Sequence, residues 1–423
     1  MITASTDPDG WKSNLLTKGH VIAQGVRANS ANVAITLTSH PELKGSIAFD
    51  EFAQSIIRCG ATPWNSTPGY WDDGDDFALS NFLQLEGLDV APEVAHSGVQ
   101  AAAIQNRVHP VRAFLQGLVW DGVPRIDDWL STYLGAEPSR YVRAVGAKFL
   151  IGAIARIMQP GCKMDSMLVL EGEQGVGKSS AVRLLFGDDW FADALPDISG
   201  KEAALQIQAK WVIEMSELDA FRRKEITEIK AFLSRTSDRY RPPYGRYAID
   251  KPRQCVFVGT TNCDDYLKDS TGNRRFWPVW CTKADLSRLE VDREQIWSEA
   301  LTRYSEGGQW HLTPEEEALA QIEQAGRMAE DPWASLIDAY VWTKDKVTTE
   351  EVLEKGIDLA VDRRDQLARR RVNAHLMRWG WVHKKSGGQR PLVRPTVIPD
   401  EKVQYAPKRS SIISLPEDDE PGL

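Results

Sequence analysis

The stretch "MLVLEGEQGVGKSSAVRLLFG", residues 167–187, decides how the rest of the chain is read. It opens on an apolar run, turns through Gly172, Gly175 and Gly177, and continues as an amphipathic helix. Inside it stands a full GxxxxGK[ST], from Gly172 to Ser179. Glycines at these places let the backbone bend and turn its N–H groups inward around phosphate oxygens. The helix N-terminus adds its partial positive charge. Lys178 offers a point charge to the β- and γ-phosphates, and Ser179 a hydroxyl to magnesium. A strand before and a helix after are the context that identifies a phosphate loop. Gly172, Gln174, Gly175, Val176, Gly177, Lys178, Ser179 and Ser180 are therefore read as the cradle for ATP.

A phosphate loop alone says only that a nucleoside triphosphate is bound. The next apolar run, in "KWVIEMSELDAF" (210–221), is expected to lie beside the phosphate-loop strand. An acid at its C-terminal end, where an open parallel sheet holds its ligand, can hold a magnesium water or act as general base. Glu217 stands at that end and ranks first, as catalytic acid and as magnesium ligand through water. Glu214, expected on the opposite face, and Asp219 beyond are the alternatives. A third run, "CVFVGTTNCDD" (255–265), ends at Asn262, whose amide can orient water and sense the γ-phosphate. A plain turn residue is the other reading of that asparagine. No Asn-Lys-x-Asp stretch marks guanine specificity.

The alternation of apolar runs at 167–170, 211–216 and 255–260 with helical patterns predicts an α/β core on a mainly parallel sheet. Its span is 126–330, led by helices over 125–135 and 139–159, with 292–305 and 314–342 also helical. Residues 1–125 are expected to be mixed but mainly helical, with helices near 77–86, 98–107 and 111–120. "WDDGDDF" (71–77) reads as a solvated acidic loop. Residues 331–400 fit a winged helix, and 401–423 a disordered acidic tail. A net charge of −9 argues against a chain coated in nucleic acid but leaves room for a local basic face. The five cysteines have neither metal nor disulfide spacing, which suggests a reducing cytosol. Lys148 and Arg156 interrupt the apolar stretch 144–158, so it reads as a buried helix and not a membrane span. The N-terminus has no basic-then-apolar signal pattern.

Four segments carry a family resemblance: "VWDGVPRIDDWLSTYLG" (119–135), "QPGCKMDSMLVLEGEQGVGKS" (159–179), "WVIEMSELDAFRRKEITEIKAFLSRTSDRYRPPYGR" (211–246) and "QCVFVGTTNCDDYLKDSTGNRRFWPV" (254–279). Together they resemble the superfamily 3 helicases of the AAA+ class. More closely, they resemble the virulence-associated protein E family of phages, prophages and pathogenicity islands. The resemblance implies a P-loop AAA+ core that hydrolyses Mg-ATP, a homo-oligomeric, hexameric ring, and action on single-stranded or forked DNA. The setting it implies is replication of a mobile element in the bacterial cytoplasm, beside replication proteins of the host or element. Some members carry a primase domain upstream. Residues 1–110 hold no paired-carboxylate primase motif and the core begins soon after, so priming is not expected.

Two basic regions fit DNA. "YRPPYGRYAID" (240–250) reads as a tight hairpin, with Arg241, Tyr244, Arg246 and Tyr247 near its tip, Lys251 after it and Lys230 on the preceding helix. Interleaved cations and rings suit a single strand, the charge tracking phosphate and the rings stacking on bases. In the resembled helicases the hairpin lines the ring's channel. In the C-terminal region Arg369, Arg370 and Arg371 on a helix, and Lys384 and Lys385 in the wing, could reach phosphates. Finally, "TGNRRFWP" (271–278) sets Arg274 and Arg275 against an apolar anchor of Phe276 and Trp277. No cation besides Lys178 is otherwise placed to meet the γ-phosphate. The pair is read as an arginine finger offered to a neighbouring subunit, either residue being the finger. An ATP-switched origin-binding or helicase-loading protein is the alternative. A small-molecule kinase would have no use for either basic region.

Overall fold

In the computed structural model of the chain, caps as much as apolar spacing set where the first helices start. Residues 10–17, 25–193, 201–218, 223–240, 247–263, 266–267, 272–328, 332–384 and 391–394 are described. The chain divides into two compact units, Met1–Ala329 and Glu330–Leu423. The first begins with α1 (Ser30–Ser39), β1 (Ile47–Asp50), β2 (Ser55–Arg58), β3 (Gly69–Tyr70), α2 (Asp73–Leu85), α3 (Pro92–Gln105), β4 (Arg107–Val108) and α4 (Pro110–Gly117). Asp72 closes a reciprocal capping box with Asp75, and a proline opens α3. These features satisfy or remove N–H groups that a helix start leaves orphaned. The two helices accordingly begin at 73 and 92, ahead of the apolar spacing near 77 and 98.

Helices supply more of this region's described residues than strands do, and the short strands form a sheet of order β3-β2-β1-β4. No strand among the described residues there exceeds four residues, too few for alternation to register; what holds them is a core shared with α1, α2 and α3. One expectation for this region is corrected: the aspartates of 71–77 do not make a solvated loop. Asp75 is buried, pairs with Arg58 and accepts from the Trp64 indole at 2.9 Å. Asp76 accepts from the Trp71 indole at 2.8 Å and faces His96 Nδ1 at 2.8 Å. Buried carboxylates persist when they are partnered in this way.

The core continues with α5 (Trp129–Leu134), α6 (Arg140–Met158), β5 (Met167–Glu171), α7 (Lys178–Phe186), β6 (Phe191–Ala192), α8 (Lys201–Gln206) and β7 (Val212–Met215). Then come α9 (Arg223–Leu233), the antiparallel pair β8 (Ser237–Tyr240) and β9 (Ile249–Pro252), β10 (Val256–Thr261), β11 (Phe276–Trp280), α10 (Leu286–Ser305) and α11 (Pro314–Gly326). Five strands build one parallel sheet of order β11-β5-β10-β7-β6. The acidic strand β7 is therefore not the neighbour of β5, contrary to the sequence reading. β10, six residues long and buried throughout, lies between them and pairs along both edges.

Side chains alternate across this sheet. Leu168, Leu170, Val212, Val256 and Val258 face a core shared with α6, α7 and α10. Met167, Val169, Ile213, Met215 and Phe257 face the other side, against Ile226, Ile229 and Phe232 of α9. Among the described residues no helix is long and apolar enough to cross a membrane.

The second unit holds α12 (Ala334–Val341), β12 (Lys346–Val347), α13 (Thr349–Glu351) running into a π-helical turn over Val352–Gly356, α14 (Gln366–Arg378), β13 (Val382–His383) and β14 (Leu392–Val393). Its sheet, order β12-β14-β13, is antiparallel and shares a core with Ile337, Leu353, Val372 and Leu376. The run 314–342, read as one helical stretch, is two helices. Pro332, just ahead of α12, has no N–H with which to continue a helix. The expected tail, 401–423, lies outside the described residues.

Candidate active site

The turn from β5 into α7 depends on two glycines. Gly172 has φ +141° and a Cβ there would stand 2.2 Å from the Cys281 carbonyl; Gly177 has φ +96° and its Cβ would meet Ala284 at 2.9 Å. Only glycine tolerates both the angle and the approach. The segment after β11 laces this loop: Cys281 N–H donates to Glu171 O at 2.8 Å and Ala284 N–H to Val176 O at 3.0 Å. Lys178 is buried and donates to Gly172 O at 2.6 Å, Glu173 O at 2.9 Å and Asn262 Oδ1 at 3.2 Å. Burial lowers its pKa from the ordinary lysine value.

Ser179 Oγ donates to Glu214 Oε1 at 2.5 Å, and Thr260 Oγ1 donates to the same oxygen at 2.6 Å. Glu214 follows Val212 by two residues, so it shares the face that packs on α7. That period of two, counted from Val212, was the sequence signal available for the meeting of Glu214 with Ser179. Glu217 lies past the end of β7, exposed, with φ +54°. A non-glycine residue held there costs roughly 1–2 kcal/mol, and such outliers gather at functional sites. Glu217 lines the rim of a cavity of about 330 Å³ with residues 174–180, Ser216, Thr260, Thr261 and Asn262. The fold thus gathers Lys178, Ser179, Glu217, Asn262 and Gln174 to Ser180 of the cradle around one space, and adds Glu214, Ser216 and Thr260. An anion can be held by loop N–H groups and Lys178, with a buried carboxylate–hydroxyl pair beside it and a free carboxylate opposite.

A second cation stands near the loop. Arg327, which follows α11, donates to the buried Glu171 carboxylate, Nη2 reaching Oε2 at 2.9 Å. Sequence spacing offered no sign of it, since 156 residues separate the partners. Arg274 and Arg275 lie elsewhere. They occupy a 3₁₀ turn, Asn273–Arg275, immediately ahead of β11. Phe276, buried like Trp277, pairs with Met167 at the start of β5. The arginines therefore sit at the opposite end of β5 from Gly172, roughly 16 Å of strand away. Arg274 Nη2 donates to Asp165 at 2.7 Å; Arg275 Nε donates to Ser234 Oγ at 2.9 Å. The Arg274 side chain is 51% exposed.

Of the residues read as facing DNA, Tyr247 is 80% exposed. Arg241, Tyr244, Arg246 and Lys385 lie outside the described residues. Lys230 and Lys251 are corrected, because their head groups turn inward. Lys230 is buried beside the Phe276 ring, 5.8 Å from its centroid. Lys251 Nζ donates to Phe52 O at 2.8 Å, and burial brings its pKa down to about 8. In the second unit Arg369 pairs with Glu350, and Arg371 stacks 3.9 Å over the Trp333 ring. Arg370 and Lys384 are exposed.

A family model described as the virulence-associated protein E-like domain matches residues 115–329, a little over half of the chain. No curated protein matches. Solved structures of the NrS-1 C-terminal region are similar. An A-form apo structure has 11% identity and a TM-score of 0.47, over 87% of this chain and 100% of that one. A second apo structure has 12% identity and a TM-score of 0.40, over 82% of this chain and 95% of that one.

Proposed function

The chain belongs to the virulence-associated protein E-like family, and from that membership we propose that it is an ATP-dependent DNA helicase or translocase of superfamily 3 type. Its place would be replication of a phage or other mobile element in the bacterial cytoplasm. The observation that supports this reading most is the meeting of Lys178, the Ser179–Glu214 pair and Asn262 at the C-terminal ends of β5, β7 and β10. The β5–α7 turn is read as a phosphate loop, its N–H groups and Lys178 holding the phosphates of ATP. A hydroxyl and a buried carboxylate oxygen in contact suit a small, hard cation, so Ser179 and Glu214 would hold magnesium. That ion supplies charge neutralisation at the phosphates. Glu217, free on the rim, polarises the attacking water, and the Asn262 amide positions it.

The arginine pair acts in trans. In a head-to-tail ring, read as a hexamer, the end of the sheet away from one pocket meets the pocket of the next subunit. The β8–β9 hairpin, with Tyr247 at the edge of its tip, lines the channel for a single strand. The second unit, a winged helix in this reading, contacts DNA phosphates through Arg370 and Lys384. The test is unwinding of forked DNA with Mg-ATP, alongside hydrolysis with and without single-stranded DNA. Strand separation with DNA-stimulated hydrolysis is expected. Stimulated hydrolysis without separation would favour a loading or origin-binding switch, and hydrolysis indifferent to DNA would overturn both.

A further inference from the structure

We infer that Arg327 is a positioning residue that ties the glycine loop to the point where the C-terminal unit begins; this rests on the ATP reading above. Glu171 is the last residue of β5 and is fully buried, so its carboxylate needs a partner. Arg327 supplies a fork: Nε reaches Oε1 at 3.0 Å and Oε2 at 3.1 Å, and Nη2 reaches Oε2 at 2.9 Å. The Glu171 carbonyl is held as well, by Cys281 N–H, and the next carbonyl, of Gly172, accepts from Lys178. Side chain and main chain are thus both fixed at the first peptide of the loop.

The other end of the arrangement is the backbone at 327–328. Arg327 O accepts from Leu267 N–H at 3.1 Å, and Met328 forms a parallel bridge with Leu267. Leu267 follows the Asn262 tip by five residues. Asn273 Nδ2 also meets Met328 Sδ at 3.1 Å. Residues 327–328 are therefore bonded both to the loop and to the chain leaving β10, and the second unit starts at Glu330. A ligand that resets the loop or the strand tip must act on this junction, because packed elements shift between discrete arrangements and do not stretch.

The test uses the full chain, a non-hydrolysable ATP analogue with magnesium, and a single-stranded oligonucleotide. In the wild type the analogue is expected to change DNA affinity by about fivefold or more, and DNA to change analogue affinity by the same factor. In Arg327→Lys, which keeps the charge and loses the fork, and in Glu171→Gln, that factor should fall to within about twofold of unity. DNA affinity without the analogue should stay as in the wild type. A wild-type factor of one, or variants that keep the wild-type factor, overturns the inference. Should the variants fail to fold, amide exchange in the wild type decides: Leu267 N–H must change its protection when the analogue binds, and no change overturns the proposal. A wild type that binds no analogue removes the ATP reading itself, a separate failure.

Discussion

Glu214 and Glu217 are three residues apart and have different surroundings, because one is inside the strand's pleat and the other past its end. Glu214 meets Ser179 and Thr260 with one oxygen, and Glu217 has its carboxylate on the cavity rim. In Glu214→Gln, magnesium is expected to lose its effect on ATP affinity. In Glu217→Gln, Mg-ATP should bind as before while single-turnover hydrolysis slows by about 10²–10⁴-fold. Hydrolysis at the wild-type rate by Glu217→Gln would remove it from the chemistry. Lys251 gives a pH prediction. Its folded pKa of about 8 lies below the ordinary 10.5, so between those values the unfolded chain holds a proton that the folded chain has shed. Stability from this group therefore rises with pH across that window, and its burial penalty is full below about pH 8. Relative to Lys251→Met, the wild type should gain on the order of 3 kcal/mol between pH 8 and 10.5, read from urea midpoints. A pH-independent difference would show that the ammonium is not desolvated.

At the scale of elements, the hairpin owes its footing to Arg253. That guanidinium lies between the rings of Phe232 and Phe257, 4.4 and 5.4 Å from their centroids. It forks onto Asp238 at 2.8 and 2.6 Å and donates to Phe232 O at 2.6 Å. Arg253→Met strands a buried carboxylate and should cost about 3–5 kcal/mol in denaturant unfolding, while adding Asp238→Leu should restore much of it. A loss under about 1 kcal/mol for the single change would mean that the pair is solvated. The apolar runs of β5, β7 and β10 were legible from sequence because each is buried on both faces. The strands of the N-terminal sheet were not, being two to four residues long and stabilised by the helices they touch.

For the whole molecule, the separation of Arg274 and Arg275 from the cavity makes a claim about assembly. Replacing the finger with Ala should leave ATP binding intact and slow hydrolysis about a thousandfold or more. Mixing that variant with Lys178→Ala should restore part of the activity, since a mixed ring can unite an intact pocket with an intact finger. Full-rate hydrolysis by an isolated monomer would rule out the trans arrangement. Arg274→Ala and Arg275→Ala tested separately would say which residue it is: Arg274 has the more exposed side chain, while Arg275 is also held to Ser234.

Local order, then, was written in the chain itself. The glycine spacing, the lysine and serine after it and the apolar strands depend on neighbours within a few positions, and a linear reading sees those. Long-range pairing was decided only by the folded structure. That β10 separates β5 from β7, that Glu214 meets Ser179, that Arg327 forks onto Glu171 and that Lys251 turns inward to Phe52 all join residues far apart in sequence. Such contacts follow from which faces the whole core can bury together, a property no short window of sequence contains.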